Sequence, residues 1–187
     1  MSLITKSIGK TMIMAMEVFW LLWPMTYCLI LCQNRTVLVR WHSTGIKDFY
    51  VCAYYRPHIS DQHSLEQLNI SLAKVQECKN NPTVLLAGDF NAPHIDWQSF
   101  SVKPGSSYFT VQNSLIDIVQ DHGLSQVVME PTRIDNILDL FFTTNPSQIK
   151  KVEIQPGLSD HNMVLIQLNC KPIILRQMPR QILLFNK

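Results

Sequence analysis

A strand with no polar side chain along its length must be covered on both faces, and TVLLAGD, from Thr83 to Asp89, is apolar between its two ends. Such a segment belongs inside a layered α/β arrangement. A second run, FYVCAYY from Phe49 to Tyr55, is aromatic and β-branched and stops short of Pro57, as a buried strand does. Between the two, Leu65, Leu68, Leu72 and Val75 recur at helical spacing, with Ser64 and Gln67 placed to form a capping box. Further along, the pattern predicts a helix from Phe109 to His122 with Gly123 as its cap, and strands at Ile137 to Thr144, Val152 to Gln155 and Met163 to Leu168. Strands and helices in alternation imply helices packed on sheet.

The chain has 187 residues, the size of one domain, and 47% of them are hydrophobic, which excludes a disordered polyelectrolyte. Its net charge of +2 conceals an uneven distribution. Residues 1–46 carry four Lys or Arg against Glu17, residues 47–170 carry eight basic against thirteen acidic residues, and residues 171–187 carry four basic residues and no acid. An acidic middle does not make the broad basic face of a duplex-binding module, but clustered carboxylates there suit a divalent cation. The five cysteines are odd in number and scattered, which argues against a disulfide framework or a zinc site and for an intracellular compartment.

From Met12 to Cys32 the chain is mostly apolar and long enough to cross a bilayer, with Lys6 and Lys10 before it and Arg35 after it. Glu17 and Pro24 inside the run weigh against a membrane span. The other reading is an apolar stretch with no membrane role upstream of the real domain. The chain then divides into an unmatched N-terminal segment (1–46), a domain (47–170) and a basic tail (171–187).

Three motifs carry chemistry. In GDFNAPHIDW, Asp89 and Asn91 are two residues apart at the carboxyl end of a buried strand, so they share a side of the chain at the edge where α/β sheets place ligands. Taken alone, Asp and Asn in that place also serve as turn residues. In LSDHNMV, Asp160 and His161 precede an apolar strand, and the pair offers one oxygen for a metal and one imidazole for a phosphate, or a plain turn with a surface histidine. In NILDLFFTTN, Asp139 is the one charge entering a strongly apolar strand, where it needs a partner such as a histidine or caps a turn.

The segments AYYRPH, LLAGDFNAPHIDW, EPTRIDNILDLFFTTN and PGLSDHNMVLIQLN, in this order and spacing, resemble the endonuclease/exonuclease/phosphatase family. The resemblance is nearest to the endonuclease domain that accompanies the reverse transcriptase of CR1- and jockey-like non-LTR retrotransposons, and it spans about Lys47 to Arg180. It implies a DNase I-like four-layer α/β sandwich truncated at its N-terminal half. It further implies a hydrolase that cuts phosphodiesters with Mg²⁺ or Mn²⁺, with DNA as substrate and the nucleus as its place of work. Under it, Asp89 matches the aspartate that activates the attacking water, Asn91 the asparagine beside it, and His161 the histidine on the scissile phosphate. Asp139 matches the aspartate supporting that histidine, and Tyr55 a phosphate-contacting tyrosine. The metal falls to Asp160 with Asp89 and Asn91. Asp135 also follows Arg and Ile, but Asp139 is preferred because a strand follows it directly.

The family's N-terminal asparagine and metal-binding glutamate have no match before Lys47, since Glu17 in MAMEVFW lies in a different context. Two readings of function result: a nicking endonuclease impaired by the loss of those ligands, or a catalytically inactive transposon relic. A membrane-anchored phosphatase or phospholipase of the same fold is a third, resting on residues 12–32 alone.

Overall fold

The computed structural model describes the backbone of four strands within residues 2–41 and, in full, residues 49–77, 82–157 and 159–169. Among the described residues, twelve strands and two α-helices run in the order β1 (Ser2–Ile8), β2 (Thr11–Glu17), β3 (Cys28–Leu31), β4 (Thr36–Trp41), β5 (Phe49–Tyr55), α1 (Gln62–Gln76), β6 (Thr83–Asp89), β7 (Ile95–Asp96), β8 (Ser101–Val102), α2 (Phe109–Asp121), β9 (Ser125–Gln126), β10 (Asp139–Thr143), β11 (Ile149–Gln155) and β12 (Met163–Leu168). A six-stranded sheet has the order β3-β4-β5-β6-β10-β9, a four-stranded sheet the order β1-β2-β12-β11, and β7 with β8 makes a separate ribbon. Only β5 and β6 pair in parallel among these strands, with α1 as their crossover.

The sandwich follows from the period-two pattern that makes the central strands apolar on both faces. Tyr50, Cys52, Tyr54, Val84, Leu86 and Phe142 pack against Leu65, Leu68 and Leu72 of α1 and Leu115 and Ile116 of α2. Their sequence neighbours Phe49, Val51, Leu85, Ala87 and Phe141 pack against Val164, Ile166 and Leu168 of β12. Helices therefore cover one face of the six-stranded sheet and the four-stranded sheet covers the other.

The four strands β1 to β4 enter both sheets. Met14 pairs with Ile166 and Ala15 with Leu165, while Val39 pairs with Val51 in the other sheet. The boundary drawn near residue 47 thus falls between two paired strands, β4 and β5. Residues 12–17 of the apolar run lie in β2 and residues 28–31 in β3, residues 18–27 and 32 lie outside the described residues, and no described helix is long and apolar enough to cross a membrane. The basic segment 171–187 also lies outside them.

Local details depart from the sequence pattern in places. The helix α1 is capped by Asp61, whose Oδ1 accepts the Ser64 N–H at 3.0 Å, rather than by Ser64. The Ser64 hydroxyl instead lies 2.8 Å from the Tyr54 hydroxyl in the core. In the loop before β10, Arg133 and Asn136 exchange backbone hydrogen bonds (3.0 and 2.9 Å) around a two-residue turn whose Ile134 has φ +51° and is 83% exposed. A β-branched residue in the left-handed region is strained by about 1–3 kcal/mol. We expect Ile134→Gly to raise the urea midpoint, because strain relief exceeds the ~0.4–1 kcal/mol by which glycine favours the unfolded chain. An unchanged or lower midpoint in equilibrium unfolding contradicts this.

Candidate active site

Register brings the first three residues together. Tyr55 of β5 pairs with Asp89 of β6, and Asp89 pairs with Asp139 of β10, so the three stand side by side across adjacent strands at one rim of the six-stranded sheet. Residues paired in this way project to one side of a sheet. The positions two residues along these strands, such as Ala87 and Phe141, pack on the four-stranded sheet, so the trio faces that sheet too. The loop ahead of β12 brings His161 to the same place, and its Nδ1 lies 2.8 Å from Asp139 Oδ2. The expected Asp-His pair is formed, with side chains 12% and 25% exposed. Asp135, the other candidate, is exposed in the turn.

Asn91 follows the strand in the left-handed region (φ +47°), which asparagine tolerates better than most residues. Its N–H donates to Asp89 Oδ1 at 3.1 Å and its Nδ2 donates to the Pro57 carbonyl at 3.2 Å. Asp160, next to His161 in the chain, is engaged by Arg133. Its Oδ2 lies 2.5 Å from Arg133 Nη2, and its side chain is 63% exposed.

Two residues that the motifs did not single out hold the arrangement. Thr132, fully buried, accepts the N–H groups of Leu138 and Asp139 on its hydroxyl, both at 3.0 Å, and accepts the Asn162 N–H on its carbonyl at 2.7 Å. One threonine thereby ties the start of β10 to the loop carrying His161. Arg56, also fully buried, bonds to the chain around Asp89. Its signal in the sequence is a charged residue between an apolar strand and a proline. Thr132 gives no such signal, since a buried hydroxyl leaves no periodicity.

Burial pushes the Asp89 carboxyl above its ordinary range, and the neighbouring Asp139 pushes the same way, against the Asn91 N–H and the charges of His161 and Arg133. At Asp160 the loss of hydration acts upward, but the hydrogen bond and charge of Arg133 outweigh it and hold the group low. A carboxylate tuned upward is a stronger proton acceptor than an ordinary aspartate. The same shift has a stability consequence. Because the folded-state pKa of Asp89 exceeds the unfolded one, protonation favours the fold; this contribution is full below the unfolded value and is lost as pH rises through the folded one. We expect Asp89→Asn, which keeps the acceptor for Asn91, to be more stable than the native chain at neutral pH. Thermal melts should show the gap closing as pH falls below the ordinary aspartate range, and a gap of constant size refutes the charge as its cause.

A Mg²⁺ ion requires a nearly octahedral shell of oxygens, commonly with one or two carboxylates. Of the residues that the resemblance offers, Asp89 and Asn91 are adjacent, while Asp160 is paired with Arg133 and Asp139 with His161. Among the described residues no group of three or more His, Cys, Asp or Glu side chains stands close enough to hold a metal ion. These residues do not fit a complete metal centre.

The chain is similar to known proteins. A family model described as endonuclease-reverse transcriptase matches residues 49–165. The chain belongs to that family. Among solved structures, it is similar to an endonuclease/exonuclease/phosphatase from Beutenbergia cavernae (21% identity, TM-score 0.51), covering 73% of this chain and 39% of that one. It is also similar to the AP endonuclease LMAP from Leishmania major (14% identity, TM-score 0.52), covering 74% and 55%. These likenesses establish the fold as DNase I-like. The chain spans about half the length of the structures it matches or less. A comparison with curated proteins returns no match.

Proposed function

We propose that the chain is part of a retrotransposon-type endonuclease that nicks DNA, with its rate held down by an incomplete set of metal ligands. The observation that carries this reading is the convergence of Tyr55, Asp89, Asp139 and His161 on one rim, with His161 hydrogen-bonded to Asp139. In the neutral imidazole, Nδ1–H donates to Asp139, which fixes the tautomer and leaves Nε2 for a phosphate oxygen or the leaving group. Asp89 takes a proton from the attacking water, and the exposed Tyr55 hydroxyl donates to a phosphoryl oxygen. Asn91 holds Asp89 Oδ1 through its N–H, which leaves Oδ2 for the water. Family membership makes Mg²⁺ or Mn²⁺ the expected cofactor; when bound, it would offset charge on the phosphoryl group. No step above depends on it.

The relic reading draws on one specific observation, the pairing of Asp160 with Arg133 in place of a metal site. Nicking of supercoiled plasmid separates the two. With Mg²⁺, the native chain should convert supercoiled to open-circular DNA, and Asp89→Ala and His161→Ala should each all but abolish the conversion. Activity that survives both changes rejects the assignment. A native chain that neither nicks nor takes up Mg²⁺ in isothermal titration is a relic.

A further inference from the structure

Three consecutive carbonyl groups, those of Asp89, Phe90 and Asn91, are all held by one residue. The backbone N–H of Arg56 donates to the Asp89 carbonyl at 2.9 Å, its Nε to the Phe90 carbonyl at 2.6 Å and its Nη2 to the Asn91 carbonyl at 3.1 Å. The side chain is fully buried, takes part in none of the ion pairs among the described residues, and its Nη1 has no hydrogen-bond partner there. Burial lowers the guanidinium pKa below its usual value, while the charges of Tyr54, Asp61 and Asp89 act the other way. A buried cation without a paired carboxylate works against folding, and an apolar side chain of similar volume would avoid that penalty. What such a side chain lacks is a planar fork of N–H groups able to fasten two carbonyls at fixed spacing. The Phe90 N–H donates to the Leu138 carbonyl at 2.9 Å, so the segment gripped by Arg56 is also joined to the residue before Asp139.

We infer that Arg56 is a positioning residue for the hydrolysis proposed above: by fastening the carbonyls of residues 89–91 it sets the left-handed turn at Asn91 and aims the Asp89 carboxylate, touching neither water nor phosphate itself. The catalytic half of this inference rests on the proposed function; the geometric half does not. Strand pairing alone fixes Asp89, but Asn91 lies beyond the last strand pair, where its own bonds to Asp89 Oδ1 and the Pro57 carbonyl are joined by the grip of Arg56 on its carbonyl.

The test uses Arg56→Lys, which keeps the charge and loses the fork, and Arg56→Met, which keeps the volume and loses both. Amide hydrogen exchange read by NMR should show the Asn91 N–H, bonded to Asp89 Oδ1, exchanging about tenfold faster or more in both variants, with Val51 and Leu85 in mid-strand unchanged. In the plasmid assay kcat should fall about 100-fold, the scale of a small misplacement, with KM within about threefold of native. Unchanged exchange at Asn91 overturns the inference. So does protection lost equally at Val51 and Leu85 in both variants, which makes Arg56 a general structural residue. If the native chain does not nick while exchange changes at Asn91 alone, the proposed hydrolysis fails and the positioning geometry stands.

Discussion

His161→Ala lowers plasmid nicking by about 10²–10⁴-fold, the range expected when a positioned proton-transfer group is removed. The native pair places Nδ1 of His161 2.8 Å from Asp139 Oδ2, with both side chains largely buried, so the histidine has one orientation and one preferred tautomer. Asp139→Asn keeps the shape of the site but no longer requires Nδ1 to carry the proton, and it should lose activity on a similar scale. The two residues act as a unit, so the double variant should be no slower than His161→Ala alone. Additive losses would mean that Asp139 has work of its own, such as holding a cation, and would refute its assignment as the support of His161. Stability provides a second reading. Removing His161 leaves a carboxylate buried without its partner, which destabilises the single variant, and Asp139→Asn in the same chain should restore much of that loss. Urea unfolding of the four proteins completes the cycle.

How far the sequence announced this site depends on the kind of signal each part leaves. Asp89 and Asp139 were legible because each is a charge at the end of an apolar strand, and strand periodicity fixes the side to which such a residue points. His161 was legible as the neighbour of another apolar strand, and its pairing with Asp139 followed from the need of a half-buried carboxylate for a donor. Thr132 was not legible. Its three contacts join segments that are close only once both sheets have formed, and no local pattern encodes them. The cap of α1 differs from the sequence pattern for a related reason: Ser64 has the chemistry of a cap, but its hydroxyl is engaged by Tyr54 in the core, and Asp61 caps instead. The fold class needed only the double-faced strands β5 and β6. The pairing of β2 with β12 was hidden, because a long apolar run does not tell strands from a helix by its pattern alone.

The largest stability effect should come from a single methyl group. Gly88 pairs with Tyr54 across the parallel strands β5 and β6, and a Cβ built there would lie 1.9 Å from the Tyr54 carbonyl oxygen and 2.8 Å from its carbonyl carbon. Backbone cannot swing aside as a side-chain tip does, so Gly88→Ala must separate the strands. Tyr54 resists this: it is 1% exposed, its ring lies 4.8 Å from that of Phe90, and its hydroxyl is 2.8 Å from Ser64 Oγ at the start of α1. Moving β5 outward therefore breaks helix packing as well as the ladder, and the cost should reach about 3 kcal/mol or more, the upper end for overpacking. Gly105→Ala is the matching control. There the added methyl meets nothing within 4 Å, and only the positive φ of +71° opposes it, at about 1–2 kcal/mol. Tyr55 and Asp89 form the next pair along the same ladder, so a Gly88→Ala chain that still folds should also lose nicking in proportion to the displaced rim. Equal urea midpoints for the two alanine variants would show that β5 and β6 are not in the close register on which the candidate site depends.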